Sequence, residues 1–283
     1  MILQVDHVSK YSYDQKVILN PHDLLIIPLQ RSYIKILGFG LEINPPPLGR
    51  NERINADGNP YYQIWFDGFT DKLFVHSNLK IEISPYNPYG FILQNGLNYP
   101  FDHFEYPSNL VQALQPFCQL DDDHAELLGH VNKAKDVSRD HISFLAQLVS
   151  DVHKNWKHII REEEGLMSVK EMFNMHEGSC RDLSWLLMQM LRKIGMAARF
   201  VSGYAFNPEL SVGHELHAWT EVFLPGAGWL GLDPSLGLLA DQFYIPIACS
   251  HHPLNTLPIY GTYGGLAKSR LESKVTIKKV SKD

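Results

Sequence analysis

Cys180, His217 and Asp233 are the residues of this chain whose surroundings suggest chemistry. Cys180 lies in "GSCRDLSWLLMQMLRKIG", where Leu183, Leu186, Leu187, Met190, Leu191 and Ile194 recur at the spacing of one helical face. Ser179 and Asp182 stand in an S-x-x-D capping box, so Ser179 is the expected N-cap and Cys180 the first helical residue. Unpaired backbone N–H groups and the positive end of the helix dipole favour a thiolate there, and the thiolate is the nucleophile. The same N–H groups can stabilise a developing oxyanion. A small residue buried for packing is the bland alternative for Cys180. Asp182 needs no role beyond closing the capping box. Arg192 and Lys193 in the last turn and Gly195 after it mark the helix end.

A thiol nucleophile needs a base and a group that orients the base. The segment "GHELHAWTEVFLPGAGWLGLDPSLG" (213–237) offers both. Its "HELH" is not the zinc motif H-E-x-x-H: His214 and His217 are three apart, and on a strand that spacing sends them to opposite faces. "LPGAG" reads as a tight turn between two strands. A hairpin centred on Pro225 sets His217 opposite Asp233, so the carboxylate can fix one ring nitrogen and leave the other for the thiol. Trp219 and Glu221 alternate with His217 on the same strand face and are candidates to line the site, with packing the simpler role for the tryptophan.

The other thiols and imidazoles lack such partners. Cys118 and Cys249 have neither a helix cap nor a basic neighbour and read as packing residues. His176, His251 and His252 show no metal-ligand spacing, so no metal or other cofactor is expected. Three scattered cysteines do not make a disulfide framework.

These residues need a scaffold, and the chain is long enough for one or two domains: 283 residues, 45% hydrophobic and 20% charged. A net charge of -6 gives no footprint for nucleic acid. No apolar run approaches the length needed to span a bilayer, and "MILQVDHVSKYSYDQK" lacks the pattern of a secretory signal, so the default location is cytoplasmic. Residues 1–107 read as a β-sandwich, with strands at "LLIIPL", "YIKILGF", "YYQIWF", "KLFVHS" and "LKIEIS". Residues 85–116 read as a proline-rich, loop-rich connection. Residues 108–283 read as an α+β domain, with helices in "DDDHAELLGHVNKAK" and "HISFLAQLVSDVHKNWKHII", then the Cys180 helix, then strands ending in "KVTIKKV". The first of these helices carries acidic residues at its start. Trp156 reads as a core or helix-face residue.

"GSCRDLSWLLMQMLRKIGMAARFVSGY", "HAWTEVFLPGAGW" and "GLDPSLG" resemble the core motifs of the bacterial transglutaminase-like family. "HVSKYSYDQKVILNPHDLLIIPL" and "DGNPYYQIWFDGFTDKLFVHSNLKIEI" resemble the β-sandwich module that precedes the catalytic domain in many members. The resemblance implies a papain-like α+β catalytic domain with Cys180 as nucleophile, His217 as general base and Asp233 as orienting acid. It implies a thiol-dependent acyl-transfer enzyme acting on a peptide or protein substrate through a thioester, as a cysteine protease or amidase. A protein-crosslinking transglutaminase uses the same intermediate, and a non-catalytic binding module retaining the fold is a further alternative. A hydrolase using a metal held by the histidines is the remaining one. Two features depart from the family. "IACSHHPLNTLPIYGTYGG" (247–265) stands where many relatives have Gly-Arg-Asp-Tyr, and the oxyanion-hole tryptophan of animal transglutaminases has no assignable counterpart. Nothing in the sequence sets the oligomeric state.

Overall fold

The computed structural model describes residues 1–161, 163, 165–207 and 216–281. In chain order it has strands β1 (Ile2–Leu24), β2 (Ile34–Asn44), β3 (Gly49–Ile54), β4 (Pro60–Trp65) and β5 (Thr70–Ile83). Helices α1 (Ser108–Cys118), α2 (Leu127–Asp136) and α3 (His141–Asn155) follow. Then come β6 (Lys157–His158), α4 (Val169–Met175), β7 (Glu177–Gly178), α5 (Cys180–Lys193) and β8 (Ala198–Ala205). The chain continues through β9 (Leu216–Leu224), β10 (Gly228–Asp233), β11 (Leu238–Leu239), β12 (Tyr244–Ser250), a 3₁₀ turn at Pro253–Thr256, β13 (Ile259–Gly264) and β14 (Ser269–Val280). The fold is α+β, with a strand-rich N-terminal part.

The N-terminal sheet runs β2-β5-β1-β4-β3, with β13 and β14 also paired to β1, all antiparallel. One strand serves two ladders. Ile2–Ser12 of β1 pairs with β5 and Ile2–Tyr13 with β14; beyond an irregularity, Ile18–Leu24 pairs with β13 and His22–Leu24 with β4. Tyr13, Val17, Leu19, Leu24, Ile64, Leu73 and Val75 fill the core between these ladders. Most of β1 carries no apolar run, because its inward positions include His7 and Ser9. His7 is satisfied there: Nδ1 lies 3.0 Å from Tyr204 Oη and Nε2 3.2 Å from Ser273 Oγ. Burial lowers its pKa to about 4. The terminal "KVTIKKV", read from sequence with the second half, forms part of β14 and closes on β1. "LLIIPL" is apolar for a different reason from the one its pattern suggests. Only its first residue is in a strand, and the rest is a connector that places Ile26 in one core and Leu29 in another.

The second sheet runs β11-β10-β9-β8-β12. Helices α2 to α5 share one core with β8, β9 and β10. Tyr204, Phe206, Ile245 and Ile247 pack instead against Leu3, Val5, Leu79, Ile81 and Ile83 of the N-terminal sheet. The loop-rich reading of 85–116 fails at α1, which begins after Pro107 and keeps Pro116 inside its last turn. The acidic run 121–123 precedes α2 and serves other elements. Asp121 pairs with Arg192 at 2.7 Å, Asp122 accepts from the Val169 backbone N–H at the start of α4, and Asp123 pairs with Lys193.

Candidate active site

Helix α5 begins as its sequence requires. Ser179 caps it, with Ser179 Oγ accepting from the Asp182 backbone N–H and Asp182 Oδ2 accepting from the Ser179 backbone N–H. Gly195, at φ 81°, follows its last turn, and Met196 N–H bonds back to the Leu191 carbonyl. The expected one-sided burial is exceeded: every residue from Asp182 to Arg192 is buried. The polar ones are used to tie down neighbouring segments. Gln189 Oε1 accepts from the backbone N–H groups of Asp121 and Asp122, and Arg192 donates to the carbonyls of Gln119, Ala198 and His251. Asp182 also does more than cap. Its Oδ1 accepts from Met167 N–H, and its Oδ2 lies 3.1 Å from Arg161 Nε, fixing the segment before α4 against the helix start. Gly178 makes room for this, since a Cβ there would meet Asp182 Cβ at 3.0 Å.

Cys180, His217 and Asp233 come together. Thr220 Oγ1 donates to the Ser184 carbonyl and so locks β9 to α5, four residues after Cys180 on the helix and three after His217 on the strand. The β9–β10 ladder pairs Leu224 with Gly228 and Thr220 with Leu232. It is therefore centred on Gly226, one residue beyond the expected Pro225, because the turn takes three residues. Asp233 consequently sits diagonal to His217 and still meets it, His217 Nε2 lying 2.7 Å from Asp233 Oδ2. That leaves Nδ1 for the thiol.

Asp233 is fully buried. Besides His217 it accepts from Tyr244 Oη at 2.8 Å, Ser235 Oγ at 2.5 Å and the backbone N–H groups of Ser235 and Leu236. Burial works against its charge, but these bonds and His217 hold its pKa below the ordinary value. For His217, burial favours the neutral ring; the hydrogen bonds and charges of Asp233 and Cys180 outweigh it and raise the pKa from 6.5 to about 10. For Cys180, burial pushes the thiol up; hydrogen bonds from His158 and His217, the His217 charge and the Ala218 backbone N–H bring it from 9.0 down to about 6. Between those two values the pair is thiolate and imidazolium.

Sequence reasoning missed three members of this arrangement. Ser235 is foreshadowed by the Asp-Pro-Ser turn, whereas Tyr244 and His158 come from distant strands with no local signal. Of the other candidates, Trp219 is buried among Leu29, Val201, Tyr244 and Cys249 with its ring stacked 6.4 Å from that of His217, and Glu221 is buried between Arg31 and Arg199. Trp156 is a core residue whose Nε1 donates to the Met172 carbonyl. Cys118 and Cys249 have thiol pKa values raised by burial. His176 caps α4 in a left-handed conformation, and His252 caps the 3₁₀ turn. His214 lies outside the described residues. Among the described residues, no group of three or more histidine, cysteine or acidic side chains is placed to hold a metal, and no helix is long and apolar enough to cross a membrane.

The thiol opens onto a cleft of about 230 Å³. His158, Ile159, Ile160 and Arg161 form one side, Arg181 flanks the thiol, and Pro253, Thr256, Leu257 and Pro258 form a wall. That wall belongs to the 247–265 segment.

Comparison with known proteins finds family models that match two parts of the chain. Residues 131–234 match the transglutaminase-like superfamily core, and residues 3–82 match the bacterial transglutaminase-like N-terminal region. An uncharacterized protein of Mycobacterium tuberculosis is 26% identical over 274 residues, covering 91% of this chain and 86% of its own. One of Mycobacterium leprae is 28% identical over 109 residues, covering 37% of this chain and 38% of its own. A proposed cysteine protease from Cytophaga hutchinsonii shares the fold at a TM-score of 0.71 with 17% identity, over 100% of this chain and 92% of that one.

Proposed function

The chain belongs to the transglutaminase-like superfamily, and from that premise we propose that it is a cysteine protease or amidase acting on peptide bonds through a thioester. One observation carries this reading: a half-buried thiol with a depressed pKa, hydrogen-bonded to an imidazole that a buried carboxylate holds, at the floor of a cleft. The Cys180 thiolate attacks a substrate carbonyl. The C–S bond forms and the carbonyl electron pair moves onto oxygen, where the N–H groups at the start of α5 lie. As the pair returns, the C–N bond breaks and the His217 imidazolium gives its proton to the leaving amine. Neutral His217 then takes a proton from water, whose oxygen attacks the thioester and releases the acid and Cys180. Asp233 keeps the His217 ring in one orientation and favours its charged form.

The test has two stages. Iodoacetamide at neutral pH, read by mass spectrometry, should modify Cys180 well before Cys118 and Cys249; equal labelling of the three would sink the activated thiol. A peptide panel with and without an added primary amine then reads the acceptor from product mass. Hydrolysed peptide in both conditions is expected. Exclusive amine adducts would make the protein a transglutaminase instead.

A further inference from the structure

We propose that His158 is a second catalytic imidazole: its N–H holds the Cys180 thiolate before attack and then the oxyanion that forms on the substrate carbonyl. The inference rests on the thiol chemistry proposed above and concerns a residue outside the Cys-His-Asp set.

The backbone makes the placement. Strands β6 and β7 pair in parallel with His158 opposite Gly178, and this ladder is held by Lys157 N–H to the His176 carbonyl at 2.9 Å and Ile159 N–H to the Gly178 carbonyl at 3.0 Å. Gly178 is two residues before Cys180, so the ladder brings His158 to the start of α5. Trp156, buried two residues earlier with its Nε1 on the Met172 carbonyl, anchors the strand from behind. His158 lines the same cleft as Cys180 and His217 and is among the groups that hold the Cys180 thiol pKa down.

The two imidazoles are not equivalent. His217 is tied to Asp233 and so is equipped to carry a proton on and off. His158 has no ion pair with a carboxylate among the described residues, and the charged groups lining the cleft beside it are Arg161 and Arg181, with His217 across the thiol. Such a ring is suited to donate a hydrogen bond. When the thiolate attacks, sulfur gives up its negative charge to the new C–S bond, and the charge appears on an oxygen two bonds away. A donor aimed at sulfur needs little movement to reach that oxygen. On collapse the electron pair re-forms the C=O bond, the leaving amine takes its proton from His217, and His158 returns to its starting state. This supplies a side-chain donor beside the Cys180 backbone N–H.

The experiment uses the full chain with His158→Leu, His158→Gln and His217→Ala. The pH dependence of Cys180 alkylation by iodoacetamide gives the thiolate midpoint, and inhibition by a peptide aldehyde, which forms a tetrahedral adduct on the thiol, reports the oxyanion site. A hydrogen bond to a charged group corresponds to a midpoint shift of about one to two units. His158→Leu should therefore raise the midpoint by that amount and weaken the aldehyde at least tenfold, and His158→Gln, which keeps an N–H donor, should recover much of both. Native-like midpoint and aldehyde affinity in His158→Leu would overturn the proposal, as would equal loss in both variants. His158 is exposed, and circular dichroism verifies the fold of each variant. Failure of the underlying reading looks different: Cys180 then titrates as an ordinary thiol in the native protein and His217→Ala leaves it unchanged.

Discussion

Asp233→Asn tests whether the buried carboxylate sets the charge state of the whole arrangement. The substitution keeps the shape and keeps an oxygen for the Ser235 and Leu236 N–H groups, but removes the negative charge beside His217. In the native protein the thiolate–imidazolium pair spans the interval from about pH 6 to about pH 10. Breaking a buried ion pair costs about 3 to 5 kcal/mol, which at about 1.4 kcal/mol per pKa unit is two to four units. The His217 limb should fall from about 10 into the range of about 6 to 8, and the Cys180 limb should rise as the imidazolium charge weakens. The interval then narrows to about two units or closes. Rate at a single pH is a poor readout, because a thiol of higher pKa is also the better nucleophile once ionised. The useful assay is the ratio of iodoacetate to iodoacetamide alkylation at Cys180 across pH. The anionic reagent is drawn to the imidazolium and the neutral one is not, so the ratio falls where His217 loses its proton, while the iodoacetamide profile alone gives the thiolate limb. An Asp233→Asn protein whose two limbs stay within about half a unit of the native ones would refute the reasoning. The signs also bear on stability. The lowered thiol pKa stabilises the fold above pH 9 and this contribution is lost as pH falls toward 6. The raised His217 pKa stabilises it below about 6.5 and is lost as pH rises through 10.

Two further substitutions probe the frame around the site. Ser179→Ala removes the cap of α5 and the hydroxyl that donates to Asp182 at 2.6 Å; a loss of about 1 to 2 kcal/mol is expected, read as a drop of a few degrees in melting temperature, and an unchanged melting curve would refute it. Glu221→Ala strands Arg31 and Arg199, both held to that buried carboxylate at 3.1 and 2.6 Å, and should cost about 3 to 5 kcal/mol in denaturant unfolding, with Glu221→Gln recovering part.

The parts of this fold that were legible in the sequence are those whose signal is local. Helix α5 announces both of its ends, through Ser179 with Asp182 and through Gly195, and its apolar spacing survives even though its polar face is buried as well. The β9–β10 hairpin is legible for the same reason, and its register is wrong by a single turn residue, which changes a direct pairing into a diagonal one without separating His217 from Asp233. β1 was not legible. The inward face of an antiparallel strand usually reads as alternate apolar residues, but this one places His7 and Ser9 inward; His7 pairs with Tyr204 and Ser273, 197 and 266 positions away, and Ser9 pairs with His7. A polar residue that is paired across the fold looks, in sequence, like a residue that faces water.

The site divides along the same line. Cys180 carries its helix cap beside it, and His217 and Asp233 share a hairpin, so each can be argued from its neighbours. Tyr244 reaches Asp233 from β12, and His158 reaches the cleft from a two-residue strand paired with the two residues just before Ser179. Neither spacing nor residue type distinguishes His158 from the other histidines of the chain, because what sets it apart is its parallel pairing with Gly178. Residues that set up a nucleophile are readable when the element that activates them is the element they sit on. The backbone donors at the start of that element are readable with it, whereas a side chain brought in from another element is placed by tertiary contacts and local pattern does not reveal it.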